Sequence, residues 1–326
     1  MHPFKIVRPT TNQQAIAMMD GGTSKFIGGG TNLVDLMKMN IEKPEQLVDI
    51  NALELKKIET RANGNMLIGA LVKNTALAYH PTISDAYPLL SEAILAGASA
   101  QLRNMASTAG NIMQRTRCPY FYDTVTPCNK RTPGSGCAAI KGYNRMHAVL
   151  GTSPGCVATH PSDMCVALAA LDAIIHVQGA GGLRLVPFAD FHLLPADTPH
   201  KEHSLGPGEL ITHIELPALP FAKYSAYLKI RDRSSYEFAL VSAAVALNIN
   251  NGIIKDARIS LGGVGTKPWR ASTAERLLRG KKAASDSYQA AAEEAMKDAK
   301  PLKDNGFKIE LAKRTIVAAL EKIKPA

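Results

Sequence analysis

The sequence predicts an α+β fold divided into more than one domain, and three observations predict it. The chain has 326 residues, more than one hydrophobic core usually serves. Its first part repeats short apolar strands, glycine turns and helical stretches. Beyond Pro217 and Pro220 the character changes to a strand meander followed by alanine- and lysine-rich helical runs.

Taken in order, KIVRP is a short strand and TNQQAIAMMDGG a helix closed by glycines. SKFIGGGTNLVDLMKMN reads strand, glycine turn, helix. QLVDI is a further strand, followed by Asn51 in the manner of an N-cap. These make a first unit over residues 1–55. A second unit spans 56–217. In it NMLIGALV is a strand pair or a bent strand, and Ala86 to Gly97 carries an apolar helical pattern. VATHPSDMCVALAALDAIIHVQG reads loop, helix, strand, and ELITHIELP alternates like a half-buried strand. LPALPFAK is the linker to a third unit, 221–326. There KYSAYLKI is strand-like, FALVSAAVALNIN and IIKDARISLGGVG form a hairpin across an NNG turn, and SDSYQAAAEEAMKDA and ELAKRTIVAALEKI are helices.

Composition excludes several classes. With 46% hydrophobic and 20% charged residues the chain is an ordinary globular one, not a disordered one. No apolar run is long enough to cross a membrane as a helix. MHPFKIVRPTTNQQ lacks the apolar centre of a secretory signal. The net charge is +10, but the basic residues are scattered outside KIRDR (229–233) and LLRGKK (277–282). They are not interleaved with aromatics as in single-strand binders, so nucleic acid is not an expected partner.

Two small-residue turns stand out. FIGGGTNL places Gly28, Gly29 and Gly30 between an apolar strand and an amphipathic stretch. Such a turn allows positive φ and close backbone approach, and its N–H groups can seat a pyrophosphate, with Thr31 and Asn32 as added donors. It is neither a Rossmann fingerprint, since Leu33 stands where a glycine is required, nor a Walker loop. A ligand-free strand-to-helix turn is the other reading, and spacing does not choose between them. STAGNI (107–112) is a second turn of the same kind. Two of them suggest loops converging on one polyphosphate. Ser162 and Asp163 read as the cap of the following helix.

Five cysteines are present, and four of them, Cys118, Cys128, Cys137 and Cys156, fall between residues 118 and 156. They hold each other, a zinc ion, an iron–sulfur cluster or nothing. The pairs of structural zinc sites are usually separated by two to four residues, much closer than any pair here. Cys165 lies in MCVALAALDAII and reads as a small core residue. His147 and His160 border these motifs and read as satisfied structural histidines.

Four segments in this order, FIGGGTNLVDLMK, QLRNMASTAGNI, CVATHPSDMCVALAALDA and KYSAYLKIRDRSSYEFALVSAAVAL, resemble the FAD-binding subunits of bacterial molybdenum hydroxylases. That family includes xanthine dehydrogenase, carbon monoxide dehydrogenase and aldehyde oxidoreductase. The resemblance covers nearly the whole chain and is strongest to the FAD subunit of a periplasmic aldehyde oxidoreductase. It implies a two-part FAD-binding domain of the vanillyl-alcohol oxidase (PCMH) type, followed by a C-terminal α+β domain. It also implies pyrophosphate contacts from Phe26, Ile27, Gly28, Gly29, Gly30, Thr31, Asn32 and Leu33 and from Thr108, Gly110 and Asn111. Asp163 and Lys229 would stand toward the flavin. Leu240 occupies a place that is lysine in eukaryotic xanthine dehydrogenases, so the NAD handling of those enzymes does not carry over.

The segment between GNI and CVATHPSD is longer here than in most of the family. It resembles the insertion of the 4-hydroxybenzoyl-CoA reductase flavoprotein, which holds a [4Fe–4S] cluster. The resemblance implies Cys118, Cys128, Cys137 and Cys156 as ligands, with Arg115, Arg117, Lys130, Arg131, Lys141 and Arg145 offsetting the cluster's charge. The implied function is electron transfer within an aldehyde-oxidising complex. A molybdenum subunit carries the substrate chemistry, a [2Fe–2S] subunit delivers electrons to FAD in this chain, and an external acceptor such as a ferredoxin receives them. The complex is expected in the periplasm on a partner's export signal, or else in the cytoplasm. A free-standing FAD oxidoreductase and a zinc-bearing scaffold are the rival readings.

Overall fold

The computed structural model describes residues 1–323. Near the N-terminus the strands Lys5–Val7, Ser24–Ile27 and Gln46–Asp49 form a parallel sheet with Gln46–Asp49 in the centre. Helices Asn12–Ala17 and Leu33–Lys38 make the crossovers that parallel pairing requires. The first helix is capped by Thr11, whose hydroxyl accepts from the Gln14 N–H. It stops at Ala17, earlier than the glycines suggest, and Gly21 turns the chain at φ +78°. There the Asp20 carboxylate accepts from the N–H groups of Thr23 and Ser24. Asn51 caps no helix. Its amide donates to the Gly28 carbonyl at 3.0 Å and to Asp49 at 2.7 Å, tying the strand end to the glycine turn.

The middle of the chain builds a five-stranded antiparallel sheet, in the order Ile58–Thr60, Met66–Gly69, Leu210–Leu216, Ile174–Gly179, Gly182–Pro187. NMLIGALV supplies one strand of it. Helix Pro88–Ala96 and helix Asp163–Ala170 pack on each other, and every residue of the latter is buried. The third sheet is an antiparallel meander, Ser225–Ile230, Val241–Asn250, Ile253–Gly262 and Trp269–Arg270. Its hairpin turns through Asn251 (φ +50°) and Gly252 (φ +73°), the two left-handed positions of a type I′ turn.

Strand Val241–Asn250 shows why its sequence is almost continuously apolar. Successive side chains alternate faces. Val241, Ala243, Val245 and Leu247 join the core formed with the three C-terminal helices, whereas Ala244 and Ala246 join the core of the preceding sheet and helices. The strand is therefore buried on both faces and fastens the third sheet to the rest.

Lys308 on the last helix is fully buried, and its Nζ donates to the Gly263 carbonyl at 2.7 Å. Burial lowers its pKa to about 7. Below that value the ammonium is present in both folded and unfolded chains and its burial is a constant penalty. From about 7 up to the unfolded value of 10.5 the unfolded chain binds the extra proton, so stability rises with pH. Lys308→Met is expected to stabilise the protein by a few kcal/mol at pH 7. The gap from wild type should close as the pH approaches 10 in urea melts. A gap independent of pH would rule out this account.

Candidate functional site

The glycine turn and the STAGNI turn meet back to back. Gly29 packs so closely on the second loop that a Cβ there would stand 2.0 Å from the Met105 carbonyl oxygen, and one on Gly28 would stand 3.0 Å from Ser107 Oγ. Gly30 adopts φ +72°. Ser107 caps the short helix Thr108–Ile112, accepting from the Gly110 N–H.

A cavity of about 480 Å³ opens beside these two loops, within the usual range of small-molecule sites. Thr31, Asn32, Gly110, Asn111, Asp163 and Lys229 all line it. Phe26, Ile27, Gly28, Gly29, Gly30, Leu33 and Thr108 are not among its lining residues and serve the loops instead. Phe26 packs on the core, and the Thr108 hydroxyl donates to the buried Val72 carbonyl at 2.9 Å.

Several lining residues were not expected at this site: Asn74, Arg103, Gln114, Arg233 and Tyr236, together with Arg117, which was expected to offset charge at the cysteines. Arg103 sits inside the QLRNMASTAGNI segment, so the signal was present but unread. Tyr236 likewise sits inside the KYSAYLKIRDRSSYEFALVSAAVAL segment, whereas Asn74 had no motif to mark it. Four buried polar atoms of these walls, Asn32 Nδ2, Asn74 Oδ1, Arg103 Nε and Arg117 Nε, have no hydrogen-bond partner in the protein. Buried polar atoms are normally paired, so these four mark a surface made for a polar ligand. The arginines suit it to an anion.

At the far wall Lys229 Nζ meets Asp163 Oδ2 at 2.8 Å, with side chains only 4% and 8% exposed. Lys229 also donates to the Ala96 carbonyl, and the Tyr227 hydroxyl donates to Asp163 Oδ1 at 2.6 Å. Burial, together with the neighbouring Asp163 charge, holds the Tyr227 phenol far above its ordinary pKa. It is therefore a fixed donor. Ser162 caps the helix through the Cys165 N–H, and its own hydroxyl donates to Asn111 Oδ1 at 2.6 Å.

The four clustered cysteines surround a second, small cavity. All are free thiols, and Cys128 and Cys137 face each other across a single antiparallel bridge. No three of these sulfurs lie within 4.8 Å of one another. A tetrahedral zinc with Zn–S bonds near 2.3 Å would draw its sulfurs to about 3.8 Å apart. As they stand, the four sulfurs are not gathered as closely as one tetrahedral zinc would hold them. Burial pushes the Cys118 thiol up to about 12 and that of Cys156 to about 11. Such sulfurs become thiolates only when a metal replaces the proton.

The surrounding cations are more committed than a diffuse positive shell. Arg115 pairs with Glu42 at 2.7 Å and Glu202 at 3.3 Å, lies over the Phe121 ring, and donates its N–H to Asn32 Oδ1 at 3.0 Å. It thus links the first loop to the cysteine segment. Lys130 pairs with Glu202, Arg117 with Asp35 and Arg145 with Asp232. Arg131 is spent on the carbonyls of Tyr120 and Phe121. Direct support for sulfur comes from the Ala158 N–H, 3.5 Å from Cys156 Sγ.

Neither histidine is the satisfied structural residue expected. His147 Nε2 lies 3.1 Å from Cys118 Sγ, and its Nδ1 has no partner. Burial and the Lys308 charge lower its pKa to about 4. His160 Nε2 is also unpartnered, and ligand atoms of His160, Cys165 and His192 lie within 4.8 Å of one another. They do not form a metal-ready set. His160 Nδ1 accepts the Ser162 N–H, so the proton of the neutral ring sits on Nε2, which is then a donor. Cys165 is fully buried in the first core.

Comparison with known proteins agrees with this arrangement. Residues 2–219 match the model of the FAD binding domain in molybdopterin dehydrogenase, and residues 226–323 match the CO dehydrogenase flavoprotein C-terminal domain. The chain is 51% identical to the aldehyde oxidoreductase FAD-binding subunit PaoB of Escherichia coli, over 91% of this chain and 90% of that one. It is 28% identical to the glyceraldehyde dehydrogenase medium chain of Sulfolobus acidocaldarius, over 94% and 92%. Its fold superimposes on a chain of carbon monoxide dehydrogenase from Hydrogenophaga pseudoflava with a TM-score of 0.77 and 25% identity, covering 98% and 97% of the two chains. The matches to both family models together span nearly the whole chain, and the chain belongs to the FAD-binding subunits of the molybdenum hydroxylase family.

Proposed function

We propose that this chain is the electron-transfer flavoprotein of a molybdenum-dependent aldehyde oxidoreductase. In this reading it receives electrons from a [2Fe–2S] subunit and passes them to an external acceptor, such as a ferredoxin, while a molybdenum subunit oxidises the aldehyde to the acid. The single observation that carries the reading is the cavity wall, where four orphaned buried polar atoms and a buried Asp163–Lys229 pair border two glycine-bearing loops. The 51% identity to an aldehyde oxidoreductase subunit supports the substrate class.

FAD fits these residues. Thr31, Asn32, Gly110 and Asn111 would hold the pyrophosphate with Arg103 and Arg117, and Asp163 and Lys229 would stand at the flavin. Bound FAD supplies the ability to take two electrons and release them singly or in a pair. This chain's residues bind and orient it. Lys229 is held by Asp163 and the Ala96 carbonyl, and Tyr227 holds Asp163 in turn.

Cys118, Cys128, Cys137 and Cys156 would hold a [4Fe–4S] cluster. The absence of any three of these sulfurs within 4.8 Å of one another supports this over zinc; the raised thiol pKa values of Cys118 and Cys156 suit either metal. We further propose that the complex works in the periplasm, exported on a partner's signal. Fractionation of cells making all subunits, with the oxidase activity found in the cytoplasm alone, would refute that part.

The test of the central reading is the composition of the purified, oxidised chain. One FAD and about four irons per chain are expected, with an absorption spectrum of both. FAD with zinc or no metal would keep the flavoprotein and remove the cluster. Folded protein with zinc and no flavin would make the chain a scaffold. A chain active alone on an organic substrate would make it a free-standing oxidoreductase.

A further inference from the structure

Of the four clustered cysteines, Cys118 alone reaches a third cavity, of about 380 Å³. This cavity shares Arg117, Ser162, Asp163 and Phe238 with the proposed flavin cavity. Cys118 is therefore the ligand on the flavin side of the cysteine cluster. His147 lines the same third cavity and is the side chain that touches the Cys118 sulfur, at 3.1 Å from Nε2.

The contact is built. His147 is 3% exposed. Its N–H donates to the Asn144 carbonyl at 3.0 Å, and its carbonyl accepts from the Asn305 amide at 3.2 Å. The Asn144 N–H donates to Asp304 Oδ2 at 3.2 Å, and the Asp304 N–H returns to Asn144 Oδ1 at 2.9 Å. The backbone that carries the ring is thus held from both the cysteine segment and the turn before the last helix. A thiolate on iron has no proton to give, so the contact is attractive only with the hydrogen on Nε2.

We propose, resting on the cluster reading above, that His147 donates a hydrogen bond from Nε2 to the Cys118 sulfur of the bound [4Fe–4S] cluster and so raises its reduction potential at the ligand that faces the flavin. The reduced cluster carries one more negative charge than the oxidised one. A donor at a ligand sulfur favours the more negative state. His147 is a positioning residue here. It touches a ligand and not the iron.

The test is an EPR-monitored redox titration of the full-length chain after iron and FAD have been quantified, comparing wild type, His147→Leu and His147→Gln. At the potential that half-reduces the wild-type cluster, the reduced-to-oxidised ratio is expected to fall about threefold in His147→Leu. That is a downward shift of about 28 mV, at 59 mV per tenfold for one electron. His147→Gln, which keeps an N–H donor, should lie between the two. The FAD couple should not move. Equal ratios in all three proteins, each with its iron, would overturn the proposal. Should His147→Leu not retain iron, His147→Phe takes its place as a donor-free filler. Loss of iron from both, with iron kept in His147→Gln, would make the residue a support for assembly and also overturn the tuning role. A wild-type chain without iron would overturn the cluster reading itself, and this proposal with it.

Discussion

Gly29→Ala should release the flavin and cost about 3 kcal/mol or more of stability, the upper end of overpacking penalties. The added carbon would stand 2.0 Å from the Met105 carbonyl oxygen and 2.8 Å from its carbon. Both are backbone atoms, so no rotamer change relieves the clash and the two loops must part. Because these loops border the cavity together, parting them displaces Asn32 from Asn111 and the rest of the wall. The measurement is FAD retention on a desalting column alongside the urea unfolding midpoint. Gly22→Ala is the control, since a Cβ there meets nothing within 4 Å. If Gly29→Ala holds FAD as the control does, the loops are not locked in this way.

Asp163→Ala should be nearly as damaging, for an electrostatic reason. It leaves the Lys229 ammonium, only 4% exposed, without its counter-charge. It also leaves the Tyr227 hydroxyl without its acceptor. Breaking a buried ion pair from one side typically costs about 3–5 kcal/mol. Adding Lys229→Met to Asp163→Ala removes the stranded charge, so most of that stability should return while flavin affinity stays low. Denaturant melts of both variants, with FAD binding measured by quenching of its fluorescence, separate the two effects. A loss below about 1 kcal/mol in the single variant would mean that water reaches Lys229 and the pair is not truly buried.

The parts of the fold legible in the sequence were those set by neighbours along the chain. SKFIGGGTNL could be read as strand, turn and helix because alternation, three glycines and an amphipathic stretch are local signals. The NNG hairpin is equally local, since Asn251 and Gly252 tolerate the left-handed backbone the turn needs. Asn51 misled, because a polar residue after a strand resembles a cap until its amide is seen reaching back to Gly28. The helix at 12–17 read too long because the end of its apolar pattern does not mark where its hydrogen bonds stop. The cavity-lining arginines were illegible as a set for another reason. Arg103, Arg117 and Arg233 come from three separate segments, each of them noted in the sequence, but nothing local shows that the three meet at one cavity.

The sequence alone determined the class of the fold, the two glycine-bearing loops, the unusual clustering of four cysteines and, through ordered motifs, the family. These follow from local backbone preferences and residue chemistry, which act over a few positions. Only the tertiary structure decided that Lys229 and Asp163 neutralise each other and that Thr108 and Phe26 support the loops without lining the cavity. It also decided that His147 meets Cys118. Those outcomes depend on distances of a few ångströms between residues 29 to 66 positions apart in the chain, set by how sheets and helices pack and not by any preference of the residues themselves.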